Sequence, residues 1–110
     1  MILVKMDEYR IFITEEFERD FKKLDYSIKK QIQREINQLK INPFVGKPLG
    51  YRFFREKKIQ NYRFYYQIYE EKIIVLIISL SGKKNQQRTI DKIKKNFEVY
   101  ENELDKQLEF

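Results

Sequence analysis

The sequence predicts an α+β fold: an N-terminal strand and a helical hairpin packed on a twisted antiparallel β-meander, closed by a C-terminal helix. Three observations predict it. Apolar residues recur at helical spacing from Phe17 to Leu39. Three strand-like runs follow within residues 51–80, separated by short polar breaks. From Arg88 the helical period returns and lasts nearly to the end. A chain of 110 residues can bury one modest core, so a single domain over 1–110 is expected, with its core at about 9–95 and a C-terminal helical extension at 96–110.

Tyr9-Arg10-Ile11-Phe12-Ile13 is rich in β-branched and aromatic residues and reads as the first strand. Thr14 is placed to cap a helix, with Glu15 and Glu16 in the first turn where the dipole favours anions. Phe17, Phe21 and Leu24 form its apolar stripe. Asp25 or Ser27 caps a second helix, whose core positions are Ile28, Ile32, Ile36 and Leu39. Asn42-Pro43 ends it, because the residue before proline is pushed out of the α region. Residues 43–50 hold both prolines and two of the three glycines, and read as a loop between a helical half and a strand-rich half.

Residues 51–56, 62–69 and 73–80 read as an antiparallel meander, with 57–61 and 70–72 as its turns. On the middle strand Tyr62, Phe64, Tyr66 and Ile68 share one face, while Arg63, Tyr65, Gln67 and Tyr69 share the other. The apolar face should meet the helices, which leaves Arg63 on an open face. The all-apolar run from Ile73 to Leu80 should be central and covered on both sides. Ile90, Ile93, Phe97, Tyr100, Leu104 and Leu108 then mark one amphipathic helix.

Composition narrows the chemistry. There is no cysteine, hence no disulfide and no thiolate metal site. There is no histidine either, so proton transfer falls to Lys, Arg, Tyr or carboxylates. The apolar start Met1-Ile2-Leu3-Val4 is too short for a signal peptide or membrane span, and a cytoplasmic location is expected. The net charge of +6 is unevenly spread. Residues 7–25 carry seven acids against four bases, and residues 96–110 five acids against one base. Between them, residues 52–63 carry five bases against one acid, and residues 82–95 six against one. Such a centre suits a polyanion or an acidic protein partner, or is a solvated surface.

The run Asn42-Pro43-Phe44-Val45-Gly46-Lys47-Pro48-Leu49 is followed by Asn61-Tyr62-Arg63-Phe64-Tyr65-Tyr66-Gln67-Ile68. Then come Glu71-Lys72-Ile73-Ile74-Val75-Leu76-Ile77-Ile78-Ser79 and Gly82-Lys83-Lys84. In this order the chain resembles the RelE/ParE superfamily of toxins from toxin–antitoxin pairs. The resemblance implies helices on a twisted antiparallel sheet, and a cognate antitoxin that lays an acidic or amphipathic segment over the basic surface. It implies one of two activities: cleavage of mRNA at the ribosome without metal or cofactor, or inhibition of DNA gyrase without a nuclease site. A degenerate member that only binds its antitoxin is the third possibility. Under the first activity, Arg63 matches an arginine that supports phosphate chemistry, and Lys83 and Lys84 match the basic pair after the glycine. Arg52 and Arg55 fall on the strand where RelE-like members carry catalytic lysines. The family's tyrosine position maps near Ile90, leaving Tyr65 or Tyr100 as substitutes.

Attack of a 2′-hydroxyl on its own phosphate requires a proton acceptor, a proton donor for the leaving oxygen, and positive charge at the phosphorane. Arg63 fits the last role through its bidentate fork; its alternative is a cross-strand ion pair with an acid. Lys57, Lys58, Lys83 and Lys84 are candidates for moving protons. Lys47, Lys57, Lys58 and Arg88 are candidate RNA contacts, and Tyr65, Tyr69 and Tyr51 candidate stacking platforms. Lys92, Lys94 and Lys95 read as ribosomal RNA contacts or a solvated helix face.

Overall fold

The computed structural model describes residues 8–109, so the apolar start Met1-Ile2-Leu3-Val4 lies outside the described residues. Strand β1 (Arg10–Ile13) leads to α1 (Glu15–Lys22) and α2 (Tyr26–Leu39). Strands β2 (Lys47–Tyr51), β3 (Phe54–Ile59), β4 (Tyr62–Tyr69) and β5 (Ile74–Gly82) follow, then α3 (Gln86–Lys95) and α4 (Phe97–Leu108). The sheet order is β1-β5-β4-β3-β2, with β1 parallel to β5 and the other pairings antiparallel.

The helical hairpin forms as expected. The Thr14 hydroxyl accepts from Phe17 N at 3.0 Å and donates to Ile78 O at 2.6 Å, tying the start of α1 to the sheet. Asp25 occupies the cap of α2, though its side chain makes no capping bond. Phe17, Ile28, Ile32 and Leu39 are buried against Phe64, Tyr66, Ile68, Val75 and Ile77, the strand face that alternation assigns to the helices. β5 is central and buried on both sides, also as expected.

Several expectations of local structure are corrected. Part of the loop at 43–50 is the edge strand β2, which tolerates Pro48 because an edge residue has no second partner to serve. The expected turn at 57–61 shrinks to Gln60 and Asn61, because Ile59 has an apolar site to fill and draws Lys57 and Lys58 into β3. Gln60 takes a left-handed φ of 52° there. Ile73 is not the first residue of β5 but a left-handed residue (φ 55°) closing the turn at Glu70–Lys72, an unfavourable conformation for a β-branched side chain. The single C-terminal helix is two, broken at Asn96 (φ −120°, ψ 18°).

The break lets α3 and α4 cover the second face of the sheet. Ile90 and Ile93 pack on Phe54, Tyr65, Leu76 and Ile78, while Phe97 meets Tyr51, Phe53 and Phe54 edge to face or nearly so. Arg63 therefore does not lie on an open face. It is buried, 8% exposed.

Two polar ties join the layers. The buried Tyr66 hydroxyl donates to Pro43 O at 2.7 Å and accepts from Gly46 N at 3.0 Å, pinning the turn before β2. Burial pushes its pKa up to about 12. Glu16 accepts from the Ser79 hydroxyl and pairs with Lys92 of α3. Burial alone would raise its pKa, but the Lys92 ammonium, the Ser79 hydroxyl and Arg19 together hold it below 4.5.

Tyr66→Phe leaves Gly46 N–H and Pro43 C=O buried without a partner, and is expected to cost about 1–3 kcal/mol in urea unfolding. Because Glu16 titrates lower when folded, its stabilisation is full above pH 4.5 and is lost as the pH falls through its folded pKa. Glu16→Gln should accordingly flatten the acid side of a stability-versus-pH curve while lowering stability at neutral pH.

Candidate functional site

The two basic segments meet at one end of the sheet because of register. Across β3, β4 and β5, Lys58 stands opposite Arg63 and Arg63 opposite Ser81. The next row on the same face is Glu56, Tyr65 and Ser79, with Lys47 of β2 opposite Glu56. Gly82 stands opposite Tyr62, so Lys83 and Lys84 leave the sheet beside the β3–β4 hairpin, both exposed. Gln86 then opens α3 by donating to both Glu56 carboxylate oxygens, at 3.1 and 3.3 Å.

At the centre is Arg63. Its Nη1 is buried and has no hydrogen-bond partner, and among the described residues it makes no ion pair. The expected alternative, a cross-strand pair with an acid, is not what the structure holds: the residue opposite is Lys58. An uncompensated buried guanidinium is costly, and the cost is removed by an anion that reaches it. The Tyr65 hydroxyl lies 2.8 Å from Ser81 Oγ. Burial pushes its pKa up, the Ser81 hydroxyl opposes this, and the Glu56 carboxylate and Arg63 guanidinium act in opposite senses on it. A carboxylate and a guanidinium thus flank one buried phenol.

Other candidates lie elsewhere. Arg55 stands opposite Tyr66, so it faces the helical-hairpin side. Its guanidinium donates to Arg52 O (2.9 Å), Phe44 O (2.9 Å) and Gly46 O (2.7 Å), which makes it a clamp on the turn before β2. Arg52 stacks on Phe44 at 4.1 Å and pairs with Glu70 at 3.2 Å. It is at the far end of β4 from Arg63, roughly 20 Å along the strand. Lys57 faces α2, with Nζ 3.3 Å from Glu35. Tyr65 is fully buried and offers no face for a base to stack on. Tyr69 donates to Gln67 at 3.1 Å, and Tyr51 packs on Phe53 and Phe97. Ile90 is in the core, and Tyr100 lines a hollow of about 600 Å³ beside Phe12, Glu16 and Leu104. Lys92 is taken by Glu16. Lys47, Lys58 and Arg88 remain exposed and without an ion pair among the described residues.

The structure therefore brings Arg63, Lys58, Lys83 and Lys84 together and adds Glu56, Gln86 and Ser81, which the sequence did not single out. One signal was available for Glu56: it shares strand parity with Phe54, an inward position that an acid occupies only with a reason.

Residues 11–85 match the family described as the ParE toxin of the type II toxin-antitoxin system, parDE. No curated protein matches the sequence. Among solved structures, a mutant of the E. coli toxin RelE in the free state is 21% identical, with a TM-score of 0.69, covering 80% of this chain and 97% of that one. The intact E. coli RelBE toxin-antitoxin complex contains a chain 23% identical, with a TM-score of 0.62, covering 67% and 95%. The toxin-antitoxin complex RelBE2 from Mycobacterium tuberculosis contains one 26% identical, with a TM-score of 0.61, covering 69% and 99%.

The contrast between the two strand arginines is measurable. Arg63→Met should leave the unfolding free energy unchanged or raise it, since it removes a buried charge without a partner. Arg55→Met should lower it by about 1–3 kcal/mol, since it strands three carbonyl contacts. Denaturant titrations of both variants at one pH test this; equal losses would refute it.

Proposed function

The chain belongs to the ParE toxin family of type II toxin–antitoxin systems, and on that premise we propose that it is an endoribonuclease cleaving mRNA at the ribosome and so inhibiting translation. The observation that carries this reading is the buried Arg63 with its free Nη1, in one row with Lys58 and below Lys83 and Lys84. A scissile phosphate gives that guanidinium the anionic partner it lacks, and the exposed lysines attract the flanking backbone. Arg63 then stabilises the charge that builds on the phosphorane. A cognate antitoxin is the expected partner, supported by neighbours solved as toxin–antitoxin complexes. Its acidic groups would neutralise the same lysines.

A second reading, inhibition of DNA gyrase without nuclease chemistry, is favoured by one observation. Ile90 is buried in the core where the family resemblance expects a tyrosine, so the proton-transfer groups of a RelE-like site are not all conserved in kind.

Induced expression in a bacterial host without a partner protein distinguishes the two. The ribonuclease reading expects arrested translation and new mRNA 5′ ends within translated codons. Arg63→Ala should reduce single-turnover cleavage by about 10²–10³, the usual cost of losing one preorganised donor. Intact mRNA with relaxed or broken DNA would establish the gyrase reading instead.

A further inference from the structure

We propose that Glu56 is the proton acceptor of the cleavage reaction, taking the 2′-hydroxyl proton while Arg63 holds the phosphate. This rests on the ribonuclease reading above and deepens it. Three observations carry it. Glu56 is 7% exposed, on the sheet face and one row away from Arg63. Its carboxylate receives donors from one side-chain group only, the Gln86 amide, although an ionised carboxylate has about four acceptor sites. It forms no ion pair among the described residues, although Lys47 stands opposite it and Lys58 two residues along the same face.

Two buried groups of opposite charge, not paired with each other, therefore each keep unused bonding capacity. Arg63 has a donor without an acceptor, and Glu56 has acceptor sites without donors. A ribonucleotide satisfies both at once: its phosphate oxygens accept from Arg63 and its 2′-hydroxyl donates to Glu56. A deoxyribonucleotide supplies only the first. In the reaction the O–H electrons form the new bond from the 2′-oxygen to phosphorus, and the proton passes to Glu56. The bond from phosphorus to the 5′-oxygen breaks, and that oxygen takes a proton from Lys58, Lys83 or Lys84. The products are a 2′,3′-cyclic phosphate and a 5′-hydroxyl, and no further reactant is required.

The test uses the full chain and ribosomes carrying a short synthetic mRNA. Glu56→Gln should fold, bind a ribosome whose mRNA carries a single 2′-deoxy substitution at the cleaved nucleotide as the wild type does, and cleave the all-ribose mRNA about 10²–10⁴-fold more slowly. Replacing the 5′-bridging oxygen by sulfur removes the need to protonate the leaving group, and it should not restore the E56Q rate. A rate within tenfold of wild type, or restoration by sulfur, overturns the proposal. If E56Q does not fold, Glu56→Asp replaces it. Its carboxylate sits one methylene farther back, so slowed cleavage with intact 2′-deoxy binding supports the role and undiminished cleavage overturns it. Wild-type protein that leaves the mRNA uncut would instead defeat the underlying ribonuclease reading.

Discussion

Everything at the candidate site depends on β4 being covered on both faces. A strand with one wet face can place an arginine in solvent at almost no cost. Here Phe64, Tyr66 and Ile68 point into the helical hairpin, while Arg63, Tyr65 and Gln67 share the opposite face, where Tyr65 packs on Ile90 and Ile93 of α3 and Gln67 lies beside Phe97 of α4. Strand parity therefore turns one residue step into a choice between two interiors. Apolar burial on both faces holds β4 in register with β3 and β5, and that register holds the Arg63 guanidinium where water is scarce. Low effective dielectric strengthens any phosphate contact made there and makes the empty state costly.

The helical hairpin was legible because its signals are local. The Thr14 cap, the acids after it and the stripe from Phe17 to Leu39 all act within a few turns. What lay hidden was long-range. The sequence shows that residues 86–108 are amphipathic, but not which sheet face they cover, and the face assigned to solvent was the one they fill. Asn96 is a modest helix former rather than a breaker. Its turn becomes necessary only because Ile93 and Leu104 must both reach the sheet layer. β2 was missed for a similar reason, since Pro48 is excluded from central strands but not from an edge.

The site divides along the same line. Arg63, Lys58, Lys83 and Lys84 were candidates from residue type and order, and the register sets Lys58 opposite Arg63. Arg55 and Lys57 are basic and lie on β3 too, but one parity step away, facing the turn before β2 and α2. Tyr65 shares the face of Arg63 yet is too deep to touch a base. Glu56 escaped notice because its segment reads as a basic run, in which a single acid looks like charge balance.

Pairing sharpens what net charge left diffuse. Arg52 meets Glu70, Lys57 meets Glu35, Lys72 meets Glu101 and Asp105, and Lys92 meets Glu16. Acids of the two end segments thus neutralise Lys72 and Lys92, while Glu35 and Glu70 neutralise Lys57 and Arg52. Among the described residues, Lys47, Lys58, Arg63, Lys83, Lys84 and Arg88 receive no such partner, and most of them cluster where β3, β4 and β5 end. Surface pairs contribute little to stability, so the arrangement is better understood by what it leaves uncancelled. At that end of the sheet the uncancelled cations surround a buried guanidinium, with the Glu56 carboxylate one row away. A passive anion-binding patch has no use for that carboxylate, which weakens the field, whereas a site that must also remove a proton requires one.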